Sequence, residues 1–286
     1  MKKIFIFAAI AALVIPFVSC NNKIDYGGNG NQAKIEKAKY SDYAKKVTVK
    51  SGDAKDNGIQ EVEFTDGGRY IITIANTKAD ENTEIKTGTY TYKDGVYTLD
   101  DGSTFSFDTS GNFVFKRKSG ETLSGTFVEQ SKIAAGDFIR DIAHTWKITK
   151  IDISINADGK NIGVVKEGSN FEQIGKELIE QAKSMGATIN VDVDKLKGYD
   201  VKTLTFTSSG TFVVEFTGAP TFKAVLSGIS GYNFKYTLEA GVGNDILNAE
   251  AECKFEPQTP TTAWLTANVK GDGFKGRVIF MLTVAD

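Results

Sequence analysis

Apolar and polar residues alternate along most of the chain from Val47 onward, and short glycine-containing segments interrupt the alternation. An every-second-residue repeat is typical of strands with one buried face, and glycine supplies the positive φ that tight turns demand. One pattern occurs three times, with an aromatic residue, a glycine four positions later and a second aromatic two positions after the glycine. Its members are Phe64-Gly68-Tyr70, Phe107-Gly111-Phe113 and Phe206-Gly210-Phe212. The sequence therefore predicts consecutive antiparallel hairpins and an all-β fold of meander barrels or sandwiches.

One segment departs clearly from the strand pattern. Between residues 170 and 185, apolar residues recur at spacings of three and four, which predicts one amphipathic helix. Ser169 precedes this segment and is the expected N-cap, and Gly186 follows it at the position where glycine commonly ends a helix.

A weaker helical pattern, over residues 134–143, separates two β-rich halves of the chain. We therefore place a domain boundary near residue 131. The expected organisation is an N-terminal β-meander domain at residues 35–130 and a C-terminal β-barrel domain at residues 131–286.

The start of the chain has the pattern of a secretion signal. Two lysines precede residues 4–18, an uncharged run shorter than the about 20 apolar residues that a membrane-spanning helix needs. The run ends in Ser19-Cys20, and a small residue directly before a cysteine at this place resembles the lipobox of bacterial lipoproteins. The resemblance implies that residues 1–19 are removed and that Cys20 carries acyl chains such as palmitate. An ordinary secretory signal, which would leave the cysteine unmodified, is the alternative.

The residues that follow Cys20 indicate where the protein is located. Residues 20–34 are polar and rich in glycine and asparagine, as expected of a flexible tether. Asn21 stands where an aspartate retains enteric lipoproteins in the inner membrane, so the resemblance implies a lipid anchor in the outer membrane of a Gram-negative cell. The periplasmic and the extracellular face both remain open at this point.

The C-terminal half carries a second resemblance. A short helix, then His144-Thr145-Trp146 at the start of a strand and a meander of hairpins, resembles the lipocalin-like lipoproteins of Gram-negative bacteria. In lipocalins a Gly-x-Trp motif opens the first strand, and its Trp closes one end of the barrel under an Arg from the last strand. The resemblance implies Trp146 and Arg277 as this barrel-end pair, with His144 in place of the glycine.

Composition limits the chemistry that the chain can perform. The 34 basic and 36 acidic residues give a net charge of −2, which provides no basic surplus for binding nucleic acid. One histidine and two cysteines are too few for a multi-ligand zinc, haem or iron–sulfur site, so we expect no metal and no cofactor. Nucleophilic catalysis by a Ser–His pair would have to use His144, and no Gly-x-Ser-x-Gly motif is present. We expect no enzymatic activity.

Two functions fit these observations. In the first, the protein is a non-catalytic, lipid-anchored envelope protein whose barrel holds a small apolar or amphipathic ligand near Phe206, Phe212 and Phe234. The alternative is a structural or interaction lipoprotein that docks a protein or glycan partner and holds no internal ligand. A cluster in the first half offers an aromatic platform for a glycan or apolar ligand, although core packing explains it equally. This cluster comprises Tyr90, Tyr92, Tyr97, Phe105 and Phe107.

Overall fold

Antiparallel β-structure dominates the chain and closes into two barrels in the computed structural model, which confirms the predicted all-β fold class. The signal segment, the tether and Cys20 lie outside the described residues. The structure describes residues 43–75, 83–132, 137–157, 159–186, 193–240, 251–271 and 274–285.

The first barrel is an eight-stranded meander that closes where β1 pairs with β8. A short helix, α1 (Asp53–Asp56), follows β1. The glycine-containing turns predicted from the sequence connect consecutive strands, because glycine adopts the left-handed conformation there, as at Gly111 with φ 83°. The strands are β1 (Lys45–Ser51), β2 (Ile59–Phe64), β3 (Arg69–Ile74), β4 (Glu84–Lys93), β5 (Val96–Leu99), β6 (Thr104–Phe107), β7 (Asn112–Lys116) and β8 (Thr122–Gln130).

The second barrel follows a helix, α2 (Asp137–Ile142), and closes where β9 pairs with β17. β11 pairs with β9 only at Thr145 and Trp146, and β10 pairs with β9 from Lys150 to Ala157. The strands are β9 (Thr145–Ala157), β10 (Lys160–Glu167), β11 (Val201–Phe206), β12 (Thr211–Phe216), β13 (Phe222–Ser230), β14 (Asn233–Ala240), β15 (Ala251–Thr259), β16 (Thr262–Gly271) and β17 (Phe274–Val284).

The predicted amphipathic helix is α3 (Phe171–Ser184), and it lies against β10. Its buried residues join the core of the second barrel at the place where β9 and β11 separate. Asn170, rather than Ser169, is the N-cap, since the Asn170 side chain accepts a hydrogen bond of 2.8 Å from the Gln173 amide. The Ser169 hydroxyl instead donates to the Val201 carbonyl. Gly186 follows the helix with φ 82°, as predicted.

Packed aromatic side chains occupy the interior of the second barrel. The rings of Phe206 and Phe212 stack with centroids 4.4 Å apart, and Phe234 meets Phe206 edge-on at 5.9 Å. All three are at most 2% exposed. They are therefore buried in the core of the second barrel and contact one another.

Helix α2 packs over the end of this barrel at which β9 begins. The Trp146 indole donates a hydrogen bond of 3.1 Å to the Ile142 carbonyl, and Phe138 contacts Phe234. The indole is fully buried, with Phe255 edge-on at 5.2 Å.

The expected pairing of Trp146 with Arg277 does not form. Arg277 lies opposite Ser154 and its side chain is exposed, whereas Val284 lies opposite Trp146. Arg277 precedes Val284 by seven residues, and a strand rises by about 3.3 Å per residue. Arg277 therefore lies about 23 Å along the strand from the position opposite Trp146. The indole is thus covered by α2 and not by an arginine from the last strand.

The two barrels have equivalent strand registers. Val47 of β1 lies opposite Val62 of β2, and Trp146 of β9 lies opposite Leu204 of β11. Phe64 and Phe206 each stand two residues after those partners. The hairpins β2–β3 and β11–β12 are therefore equivalent, and β10 with α3 is an insertion after the first strand of the second barrel.

The equivalent hairpins also share a local hydrogen bond. The Thr65 hydroxyl accepts from the Arg69 amide at 3.0 Å, and the Thr207 hydroxyl accepts from the Thr211 amide at 3.0 Å. In each hairpin the threonine follows the first aromatic residue of the repeated pattern, so this side chain and the glycine together fix the turn.

Candidate binding site

The candidate site lies at the end of the first barrel that is equivalent to the α2-covered end of the second. Val47 faces the barrel interior, and side chains two positions apart share a face of a strand. Lys45, the first residue of β1, is therefore on the inward face at this end of the barrel. Its ammonium lies 5.2 Å from the ring centroid of Phe107, a distance at which the cation is attracted to the ring face. The strand ends thus bring aromatic and charged side chains together at the barrel mouth.

An exposed tyrosine pair borders this mouth. Tyr43 and Tyr92 stack with centroids 4.7 Å apart and an interplanar angle of 16°, and they are 37% and 40% exposed. The pair rests on the buried Tyr97, whose ring lies 4.7 Å from Tyr92 and whose hydroxyl donates to the Tyr43 carbonyl at 2.5 Å. The buried core thus contacts the pair through the Tyr97 ring and through the backbone of Tyr43.

A groove of about 360 Å³ lies between the end of the first barrel and the second barrel. Ala44 and Lys45, the two residues after Tyr43, belong to its wall, and Ser208 and Ser209 contribute the far side from the β11–β12 turn. The lining residues are Ala44, Lys45, Lys46, Glu63, Phe64, Glu129, Gln130, Ser131, Lys132, Ser208 and Ser209.

Two ion pairs lie at the groove. The Lys45 ammonium lies 3.5 Å from a carboxylate oxygen of Glu129, and the Lys132 ammonium lies 3.5 Å from one of Asp66. Ser208 also donates to the Asp66 carboxylate, at 2.7 Å. The groove therefore offers many hydrogen-bonding groups with little net charge.

A network of buried charges joins the two barrels beneath the groove. The Glu61 carboxylate lies between two ammonium groups, with Lys223 at 2.5 Å and Lys46 at 3.4 Å. The side chains of these two lysines are 2% and 4% exposed. Glu63 accepts hydrogen bonds from Thr211, at 2.6 Å, and from Ser209.

A second part of this junction centres on Glu215 of β12. Its carboxylate accepts from Arg69 at 2.5 Å, from Thr87 at 2.6 Å and from Thr203. A small apolar cluster of Ile71, Ile85 and Val213 lies in the same interface. These residues occupy outward-facing positions on both barrels, so the barrels pack face to face and fix the groove between them.

Burial raises the pKa of three tyrosines of the first barrel. It raises the pKa of Tyr70 to about 12, with the nearby Asp100 carboxylate as a further cause. Burial also raises the pKa of Tyr90 and of Tyr97 well above the ordinary value. The Tyr90 hydroxyl donates a hydrogen bond of 2.6 Å to the Thr65 carbonyl.

The structure divides the residues that the sequence singled out. Of the first-half aromatic cluster, Tyr92 is exposed at the mouth, whereas Tyr90, Tyr97 and Phe105 are buried beneath it. The sequence analysis missed the polar groove residues, such as Glu129 and Ser209. They come together only through the closure of one barrel and its contact with the other.

Two features are absent from the described residues. Among the residues with a described placement, no group of three or more His, Cys, Asp or Glu side chains is arranged to hold a metal ion. None of the helices in the described part of the chain is long and apolar enough to cross a membrane.

Comparison with known proteins gives remote structural likenesses only. No protein-family model and no curated protein matches the chain. Transferrin binding protein B from serogroup B Neisseria meningitidis is 12% identical over 85% of this chain and 43% of its own, with a TM-score of 0.27. The Haemophilus parasuis Hp5 protein of that name, as a Trp-176-Ala mutant, is 10% identical over 78% of this chain and 52% of its own, with a TM-score of 0.25.

A shorter structure is also similar. HpuA from Kingella denitrificans, solved in complex with human haemoglobin, is 8% identical over 94% of this chain and 97% of its own, with a TM-score of 0.22. The chain spans about half the length of the transferrin binding proteins that it matches.

Proposed function

We propose that the protein is a non-catalytic envelope lipoprotein that docks a macromolecular partner at the mouth of its first barrel. The contrast between equivalent ends of the two barrels carries this proposal. In the second barrel α2 and Trp146 cover the end, whereas in the first the Tyr43–Tyr92 pair is more than one-third exposed. Exposed aromatic rings near a groove are typical of recognition sites.

The interior of the second barrel favours this function over a small internal ligand. Phe206, Phe212 and Phe234 contact one another inside the barrel, and displacing them would cost the burial of three aromatic side chains. An accessible site on the outside of the molecule needs no such rearrangement.

The anchor in this proposal is the acylated Cys20, and the location is the outer membrane. The lipobox-like Ser19-Cys20 after an uncharged run supports it, and two or three acyl chains hold a protein on a bilayer almost permanently. The polar residues 20–34 then serve as a tether that gives the docking site reach above the membrane surface.

Site-specific photo-crosslinking in the native cell tests the docking function. A photoreactive phenylalanine analogue replaces Tyr92 at the barrel mouth, and in a matched control it replaces Thr122, which is exposed where β8 begins at the opposite end. We expect a discrete adduct from position 92 only. No adduct from either position, or equal adducts from both, would overturn the proposal.

Metabolic labelling tests the anchor separately. We expect incorporation of labelled palmitate into the wild-type protein and none into a Cys20→Ala variant, which should leave the membrane fraction. Label in the variant, or its absence from the wild type, would show that acylation of Cys20 is not the anchor.

A further inference from the structure

We infer that the site at the mouth of the first barrel recognises a neutral oligosaccharide chain. This inference rests on the docking function proposed above and specifies the chemistry of the partner. Three independent features of the site lead to it: the form of the aromatic surface, the hydrogen-bonding groups of the groove and their charge balance.

The tyrosine pair has the form that a sugar ring requires. A pyranose presents a flat face of C–H groups, which packs on the electron-rich face of an aromatic ring. Tyr43 and Tyr92 stack with an angle of 16° between the rings, each is more than one-third exposed, and Tyr92 contacts the buried Tyr97.

The groove supplies both donors and acceptors for sugar hydroxyls. Its wall includes Glu129 and Lys132, together with Gln130, whose amide nitrogen also donates to Thr48 and Glu61, and Ser209, whose hydroxyl also donates to Glu63. A sugar hydroxyl both donates and accepts, so a mixed wall of this kind satisfies it in either role. The volume of about 360 Å³ lies near the lower end of the roughly 300–1,000 Å³ of small-ligand sites, which suits a short stretch of a longer chain.

Charge balance decides between neutral and anionic chains. Lys45 is paired with Glu129 and Lys132 with Asp66, at 3.5 Å in each pair. An anionic polysaccharide would have to compete with these carboxylates for the ammonium groups, and it would be repelled by them. A neutral chain can bind the pairs as they stand.

Calorimetry on the full-length lipoprotein in detergent micelles tests the inference. The probes are laminarin, mannan and xylan as neutral chains, with polygalacturonate as the anionic comparison. We expect saturable binding of at least one neutral chain and weaker or no binding of polygalacturonate. Preferred binding of polygalacturonate would overturn the assignment of a neutral ligand.

Two variants locate the binding. Tyr92→Ala should weaken the affinity for the neutral chain by about tenfold or more, whereas Tyr92→Phe keeps the ring and should preserve it. The thermal unfolding of both variants is measured alongside, since Tyr92 is exposed and its loss should leave the fold intact. Unchanged affinity in a folded Tyr92→Ala variant would overturn the inference.

The crosslinking experiment separates this inference from the docking function. If no neutral chain binds while position 92 still gives a protein adduct in cells, the carbohydrate inference is wrong and docking stands. If no neutral chain binds and position 92 gives no adduct, both are wrong.

Discussion

Glu61 shows how a charged residue on the outer face of a barrel can belong to the interior of the molecule. It stands on the outward face of β2, yet its carboxylate contacts the ammonium groups of Lys46 and Lys223, both nearly inaccessible to solvent. Buried ammonium groups are strongly destabilising without a compensating charge. Glu61 is therefore the residue on which the charge balance of the junction depends.

Replacing this carboxylate by its neutral amide tests that role. We expect Glu61→Gln to lower the free energy of unfolding by about 3–5 kcal/mol, because it leaves two buried ammonium groups with less compensation. The control is Glu129→Gln, which removes an exposed partner of Lys45 and should cost at most about 1 kcal/mol. Urea denaturation of both variants measures the difference, and equal effects would show that the junction is more solvated than its contacts indicate.

The charged residues at the contact between the barrels could not have been identified from the sequence. On a strand, a charged side chain that alternates with apolar ones has the same pattern whether it faces water or a second barrel. Lys46, Glu61 and Lys223 therefore look like an ordinary solvated face in the sequence. The exposed member of the binding site, Tyr92, lay within the predicted aromatic cluster, because aromatic residues are conspicuous at strand spacing.

At the scale of elements, local signals were predictive and non-local ones were not. Turn glycines predicted the hairpins, and the three- and four-residue spacing of apolar residues predicted helix α3. The structure contains the hairpins and the helix. The pairing of Trp146 with Arg277 depended on the register between the first and last strands of the barrel, which no local pattern specifies. The register that forms places Val284 there instead.

Helix α3 provides a prediction at this scale, since its cap differs by one residue from the expected one. Asn170→Ala should destabilise the protein by about 1 kcal/mol, because the Gln173 amide loses its side-chain acceptor. Asn170→Asp, which keeps an acceptor and adds favourable charge at the helix start, should preserve stability. Denaturation followed by far-UV circular dichroism measures both variants. Full stability of the alanine variant would mean that the cap contributes nothing.

At the scale of the whole molecule, the two barrels meet through equivalent hairpins. Asp66 and Ser208 occupy equivalent positions and bond to each other, and Ile71 and Val213, also equivalent, lie in one apolar cluster. Contact between equivalent positions is what an approximate two-fold axis produces, as in an isologous dimer. The groove of the binding site lies at this junction, so its shape depends on how the barrels pack.

This dependence predicts cooperative unfolding of the two barrels. Both tryptophans, Trp146 and Trp264, belong to the second barrel, so their fluorescence reports on it alone. Hydrogen exchange of β2 and β3 reports on the first. In the wild type we expect both probes to give one unfolding free energy, since separation would expose the buried charges of the junction.

Weakening the junction should uncouple the barrels without altering either core. In a Glu61→Gln, Glu215→Gln double variant we expect the two probes to give different unfolding free energies, because both carboxylates act across the interface. A matched double variant, Glu121→Gln with Glu129→Gln, neutralises two exposed carboxylates and should keep a single transition. If the wild-type barrels already unfold independently, the junction adds little stability and the groove has no fixed shape. If they unfold together, the binding groove is built by the pairing of two barrels, and a mutation in either one can alter it.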